Sequence, residues 1–320
     1  MPTIQDYESV DPAVLRDPAS GWRPLHRIDS TGAHVIDVID AISAHNFERL
    51  VYAEGDSWFD KFTPIPLTGT NLLDAIRTPF AAAVVDVSHI GDEAQDMVKS
   101  WQARRTREMF RLLSFDAIVL SAGGNDLRNL FSELIASQAP AIGNRGATRL
   151  EQLATPPAYA AYFDGVIASI KAFVRMRDDA GDARTRAAPI ILHGYDFLQP
   201  RPAGATVFAG SAIGKGPWIY PILAAVNFSD AEMKSMADDV VGELNTRLQN
   251  AFANVPDVFV LDQRGLLTPA AGGSTGDDAD WLDEIHPNSS GFTKLARKRW
   301  DVVLSEKLGW PRNQAILNRA

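Results

Sequence analysis

A chain of 320 residues, 46% apolar and 22% charged, has material for a full hydrophobic core and too little charge for pervasive disorder. Its net charge of −9, with no block of like charges, argues against a nucleic-acid partner, which would call for clustered Lys and Arg. The absence of cysteine excludes disulfides, thiolate metal sites and a cysteine nucleophile.

From the N-terminus, Met1 to Arg16 holds acidic residues and no apolar run of secretory length, and no stretch anywhere is long enough to suggest a membrane span. The expectation is a cytoplasmic location, although secretion without a cleaved signal would leave the same sequence. Residues 1–47 read as an N-terminal extension with a first helix, 48–308 as one domain, and 309–320 as a tail. Within the domain, short and nearly continuous apolar runs recur at Leu50 to Ala53, Ala83 to Val87, Ala117 to Leu120, Pro189 to Leu192 and Val258 to Leu261. Runs of that kind suit strands buried on both faces. Helical spacing separates them over Glu93 to Leu113, Ala158 to Asp178, Asp230 to Phe252 and Ser289 to Leu308. Alternation of the two implies a mostly parallel sheet covered on both sides, an α/β fold. Ser229 and Asn288 stand where helix caps belong.

Two Pro- and Gly-rich stretches, near 137–157 and 195–227, interrupt the pattern after strand ends. Open α/β sheets bind ligands there, so both are expected to wall a substrate pocket. The second carries Trp218 and Tyr220, which suit either contact with an acyl or aromatic group or simple anchoring of the loop.

The chemistry-bearing residues follow the strands. After the first run comes Glu54-Gly55-Asp56-Ser57-Trp58, a serine on a glycine-bearing turn whose hydroxyl would stand at the sheet rim. Gly91 follows the second run, and Gly123-Gly124-Asn125-Asp126 follows the third. A glycine amide and an asparagine side chain are the kinds of donor that hold an oxyanion. His193, Tyr195 and Asp196 end the fourth strand, where polar groups are more often structural. Beyond the fifth lies Asp283-Glu284-Ile285-His286-Pro287, whose proline disfavours helix at the histidine and lets the carboxylate fold back onto the ring.

Two rival patterns fail on context. Gly272-Gly273-Ser274-Thr275-Gly276 matches the G-x-S-x-G nucleophile elbow, but Thr268-Pro269 before it and Asp277-Asp278 after it suit neither the required strand nor the required helix. Asp277, Asp278 and Asp280 lack the spacing of a calcium loop and read as a solvated acidic loop, so no metal site is expected.

Taken in order, Gly55-Asp56-Ser57, Gly91, Gly123-Gly124-Asn125-Asp126 and Asp283-Glu284-Ile285-His286 resemble the motifs of the SGNH (GDSL-type) hydrolase superfamily. The resemblance spans roughly residues 48–308 and implies a three-layer α/β/α sandwich with a five-stranded parallel sheet of flavodoxin-like order 2-1-3-4-5. It also implies a serine esterase needing no cofactor and acting on a small ester. Ser57 would be nucleophile, His286 base and Asp283 the orienting acid, with Ser57, Gly91 and Asn125 forming the oxyanion hole. Trp58 stands where the family often has leucine and is expected either to anchor the core or to narrow the pocket, with Tyr195, Trp218 and Tyr220 as further candidate substrate contacts. A carbohydrate O-deacetylase fits the same motifs. A silent ligand-binding protein would be expected to have lost one of the three triad residues, and none is lost.

Overall fold

A computed structural model of the protein describes residues 21–30, 32–60, 71–135, 156–204, 216–225 and 227–310. Much of the 137–157 stretch and the middle of 195–227 therefore lie outside the described residues.

All five apolar runs are strands, and a sixth joins them. The strands are β1 His26–Asp29, β2 Arg49–Gly55, β3 Ala82–Asp86, β4 Ala117–Ser121, β5 Ile190–His193 and β6 Val258–Leu261. They form one parallel sheet in the order β1-β3-β2-β4-β5-β6. Counted from β2, the last five have the expected order 2-1-3-4-5. Every residue of β3, β4 and β5 is buried, the condition under which a strand reads as a continuous apolar run.

The expected count of five strands is thus corrected to six. β1 has the sequence His26-Arg27-Ile28-Asp29, in which only Ile28 is buried, so neither an apolar run nor a clean alternation marks it. Pairing with β3 at the sheet edge makes it a strand, and the Arg27 guanidinium reaches the buried Asp86 carboxylate of β3 at 2.5 Å.

The helices cover the sheet: α1 Val35–Ser43, α2 Ser100–Leu112, α3 Gly124–Asn129, α4 Pro156–Asp178, α5 Asp230–Phe252, α6 Ser289–Leu295 and α7 Asp301–Lys307. Ser229 opens α5 through a capping box with Glu232, and the Asn288 side chain accepts the Gly291 N–H at 2.9 Å to open α6. One expectation shortens. The helix expected from Glu93 begins only at Ser100, because the Asp96 and Asp126 side chains take the Glu93 and Ala94 amides, each at 2.9 Å, and hold that segment in turns. The stretch expected as helix over Ser289 to Leu308 is helical without interruption to Lys307, with a π-helical turn at Ala296–Trp300 inside it. That turn joins α6 to α7 and ends on Trp300, which like the following Asp301 is fully buried. Asp301 there accepts the Arg77 amide at 2.8 Å. Among the described residues no helix is long and apolar enough to cross a membrane.

Candidate active site

The turn after β2 is fixed before its serine is reached. A side chain at Gly55 would place its Cβ 2.7 Å from the Ser121 Cβ, so only glycine lets the end of β2 lie this close to β4. Asp56 then turns inward and is almost wholly buried. Its Oδ1 accepts the Trp58 amide at 3.0 Å and the Ser121 hydroxyl at 2.7 Å, while Oδ2 accepts the Tyr195 hydroxyl at 2.5 Å. Burial raises its carboxyl above the ordinary aspartate range, and the Tyr195 and Ser121 hydrogen bonds oppose that rise. Gly124 makes room for this carboxylate, since a Cβ there would sit 2.7 Å from Asp56 Oδ2.

Ser57 is left at the rim, 6% exposed, with Oγ 2.7 Å from His286 Nε2. On the other side of the ring, Nδ1 lies 2.8 Å from Asp283 Oδ2 and 3.0 Å from Oδ1. A carboxylate only accepts, so Nδ1 carries the proton and Nε2 presents its lone pair to the serine. Asp283 is fully buried and also accepts the Ile285 and His286 amides at 2.9 and 2.8 Å. The loop has no helix, and its Asp283 and Leu282 amides point back to the His286 carbonyl.

Asn125, in the first turn of α3, donates through Nδ2 to the Asp92 carbonyl at 2.8 Å. That bond fixes which end of the amide is nitrogen and leaves a second N–H. Asn125 lines a narrow void of about 10 Å³ together with Ser57, His286, Trp58, Leu127 and Leu198. Gly91 does not line it and lies on an exposed turn, whose neighbour His89 donates its amide to the Gly55 carbonyl at 2.9 Å.

The candidate substrate contacts divide. Trp58 and Tyr195 line the void but are buried, with Trp58 stacked on His193 at 5.1 Å and its Nε1 donating to the Ile285 carbonyl at 3.1 Å. Trp58 therefore anchors the core and borders the pocket at once. Trp218 stands edge-on to the His286 ring, with centroids 5.9 Å apart, and Tyr220 packs against the core away from the void. His193 is buried against the Ser121 hydroxyl at 2.9 Å, and burial lowers its pKa to about 4. Asp196 pins the Gly265 and Leu267 amides at 2.6 and 2.7 Å, so both residues are structural.

Ser274 sits in an irregular loop, its hydroxyl donating to the Ala271 carbonyl at 2.7 Å. The acidic residues beside it serve as acceptors, Asp280 for the Thr268 amide and Lys294 and Asp278 for the Ala271 amide. Among the described residues no cluster of side chains could hold a metal ion.

Two buried neighbours of the candidate site escape a reading of the sequence. Arg201, buried, donates to the Trp281 carbonyl at 3.2 Å and to the Ser274 hydroxyl at 2.9 Å, tying the loop before Asp283 in place. Glu284, fully buried, accepts the amides of Trp218, Ile219 and Tyr220. Burial pushes its carboxyl up to about 7 against the pull of those three donors. No local pattern signals either contact, because each joins segments more than 60 residues apart.

Compared with family models and with curated proteins, the chain matches none. Solved structures do align with it. The lipase Lip_vut3 from a goat rumen metagenome shares 13% identity at a TM-score of 0.44, covering 82% of this chain and 99% of the lipase. A protein provisionally assigned as an SGNH hydrolase from Slackia heliotrinireducens shares 16% at a TM-score of 0.40, covering 82% and 99%. A catalytic mutant of the acetylxylan esterase Axe2 from Geobacillus stearothermophilus shares 14% at 0.43, covering 83% and 97%. The strand order from β2 onward is the order 2-1-3-4-5 expected from the sequence, and the four motifs lie at or beyond the carboxyl ends of the strands.

Proposed function

We propose that the protein hydrolyses carboxylic esters through an acyl-Ser57 intermediate. The observation that carries this reading is the continuous chain from Ser57 Oγ to His286 Nε2 at 2.7 Å and from Nδ1 to Asp283 at 2.8 Å. As Oγ attacks the ester carbonyl carbon, its proton passes to Nε2, and Asp283 stabilises the imidazolium that forms. The carbonyl oxygen becomes an oxyanion facing the second Asn125 N–H, with the Ser57 amide as a second donor, while Gly91 stays outside the void on its exposed turn. Collapse of the tetrahedral adduct breaks the bond to the alcohol oxygen, which takes the proton from Nε2 and leaves. Water then attacks the acyl carbon and gives a proton to Nε2, and collapse of the second tetrahedral adduct breaks the bond to Oγ, which takes that proton back as the acid departs.

The size of the void favours small acyl groups. Among the described residues the void beside Ser57 has room for roughly one water-sized group, which suits a short acyl group such as acetyl. That supports acetyl esters, including O-acetylated carbohydrates, over lipids.

The test is a series of p-nitrophenyl esters from acetate to palmitate with the native protein and Ser57→Ala. Turnover should be highest on acetate and should fall by about 10⁴ or more in the variant, with melting temperature retained because the hydroxyl lies at the rim. A fluorophosphonate should label Ser57 and leave Ser274 untouched. Labelling at Ser274, or turnover by Ser57→Ala near the native rate, would overturn the assignment.

A further inference from the structure

Burying a carboxylate is costly unless strong hydrogen bonds compensate, and Glu284 is buried between the two triad residues without belonging to the triad. Its oxygens face three consecutive amides of a distant segment. Oε2 accepts from Trp218 and, at 2.9 Å, from Ile219, and Oε1 accepts from Tyr220 at 2.6 Å. Its own carbonyl accepts the Gln199 amide at 2.8 Å, so main chain and side chain are both held. Glutamine could not replace it without loss, because its NH₂ would oppose one of the amide donors.

What Glu284 holds bears on the proposed base. The Trp218 indole meets the His286 ring edge-on, with centroids 5.9 Å apart and planes at 74°. A ring of contacts closes, from the Glu284 carboxylate to the Trp218 amide, through the indole to the imidazole, and along two residues of chain back to Glu284. Trp218 does not line the small void on the acyl side. The departing alcohol must collect its proton from Nε2, and with the void given to the acyl group by the reading above, the indole outside it falls to the side of the alcohol.

We propose that Glu284 is a positioning residue, which holds Trp218 against His286 so that the imidazole keeps its reach to Ser57 and the leaving alcohol is protonated beside the indole. This rests on the esterase reading above and adds a determinant on the alcohol side.

The experiment compares full-length native protein, Glu284→Gln, Trp218→Ala and the double variant on two acetates, p-nitrophenyl acetate and ethyl acetate. The acyl group is constant, and only the ethoxide needs a well-placed proton to leave. Each single variant should lower kcat for ethyl acetate by about tenfold to a hundredfold, the scale set by small misplacement of a reacting group. The loss on p-nitrophenyl acetate should be several times smaller. The double variant should be no slower than the slower single one, because both substitutions break the same contact. Equal losses on both esters, or losses that multiply in the double variant, would overturn the proposal, as would a lowered melting temperature with unchanged kcat on ethyl acetate. If Glu284→Gln does not fold, Glu284→Asp, which keeps the charge but shortens the reach, takes its place in the same cycle with the same outcomes. Native protein inert to both acetates and to a fluorophosphonate would overturn the esterase reading itself, whereas active native protein with unchanged selectivity in the variants overturns the role of Glu284 alone.

Discussion

Ser57 and His286 meet at 2.7 Å, yet the two sides of that contact are built differently. The serine turn is an outgrowth of the sheet. Gly55 pairs with Ser121 in register, and Asp56 is held by the Ser121 hydroxyl at the end of β4 and by Tyr195 just beyond β5. The histidine loop has no strand beneath it. It is held from outside by the Arg201 guanidinium, by the Trp58 indole on the Ile285 carbonyl, and by the grip of Glu284 on Trp218 to Tyr220. Where backbone pairing sets a position, a change in a supporting side chain such as Ser121, which does not touch the reacting atoms, mainly costs stability. Where side chains set it, the first thing lost is the aim of the reactive group.

That contrast can be broken most sharply at Asp283. Asparagine there keeps an oxygen for the Ile285 and His286 amides but turns an NH₂ toward Nδ1–H, which favours the wrong tautomer. Asp283→Asn should lower kcat by about 10⁴ with little change in melting temperature. A loss below about tenfold would mean that something other than Asp283 orients the ring.

Asn125 belongs to the serine side, being placed by α3 and the Asp92 carbonyl. Asn125→Ala should lower kcat by about 10²–10³ with a smaller change in KM. A drop in melting temperature with kcat preserved would assign it to structure alone.

The smallest effect is on stability against pH. Glu284 titrates near 4.5 in an unfolded chain and at about 7 in the folded protein. Below both values it is protonated in either state and contributes no pH dependence. Between them the folded state holds a proton that the unfolded state has released, so stability falls as pH rises, and above about 7 the loss is complete. The stability of native protein minus that of Glu284→Gln should therefore decline by at most about 1.4 kcal/mol per pH unit across this window and be level on either side. Taking the difference removes the contributions of Asp86 and Asp126, whose carboxyls burial raises to about 6. A level difference throughout, measured by denaturant unfolding, would mean that the grip on Trp218 to Tyr220 is not made by a buried titrating acid.

The same contrast explains what could be read from the sequence. Strands β3 to β5 are legible because double burial leaves an unbroken apolar run, and β2 and the edge strand β6 because their residues are mostly apolar even where half-buried, while Ser57, Asn125, Asp283 and His286 are legible because each lies shortly beyond such a run or in a short motif. Asp56 reads as part of a motif, but its partners Ser121 and Tyr195 become visible only once β4 and β5 lie beside β2. Arg201 and Glu284 were hidden for the same reason in stronger form, since a buried charge in a Pro- and Gly-rich loop or inside D-x-x-H looks like any exposed one. Trp58 was open between core and pocket because its indole does both. β1 carries no such signal because only Ile28 of its four residues is apolar and buried.

That edge strand has a consequence for solubility. β3 is entirely buried and apolar through Val85, and without a neighbour on its outer side it would offer an unpaired backbone edge for other chains to join. β1 occupies that edge with four residues, three of them charged or titratable, and is itself too short and too polar to template further pairing. The N-terminal segment thus works as a gatekeeper that turns a sticky sheet border into a wettable one.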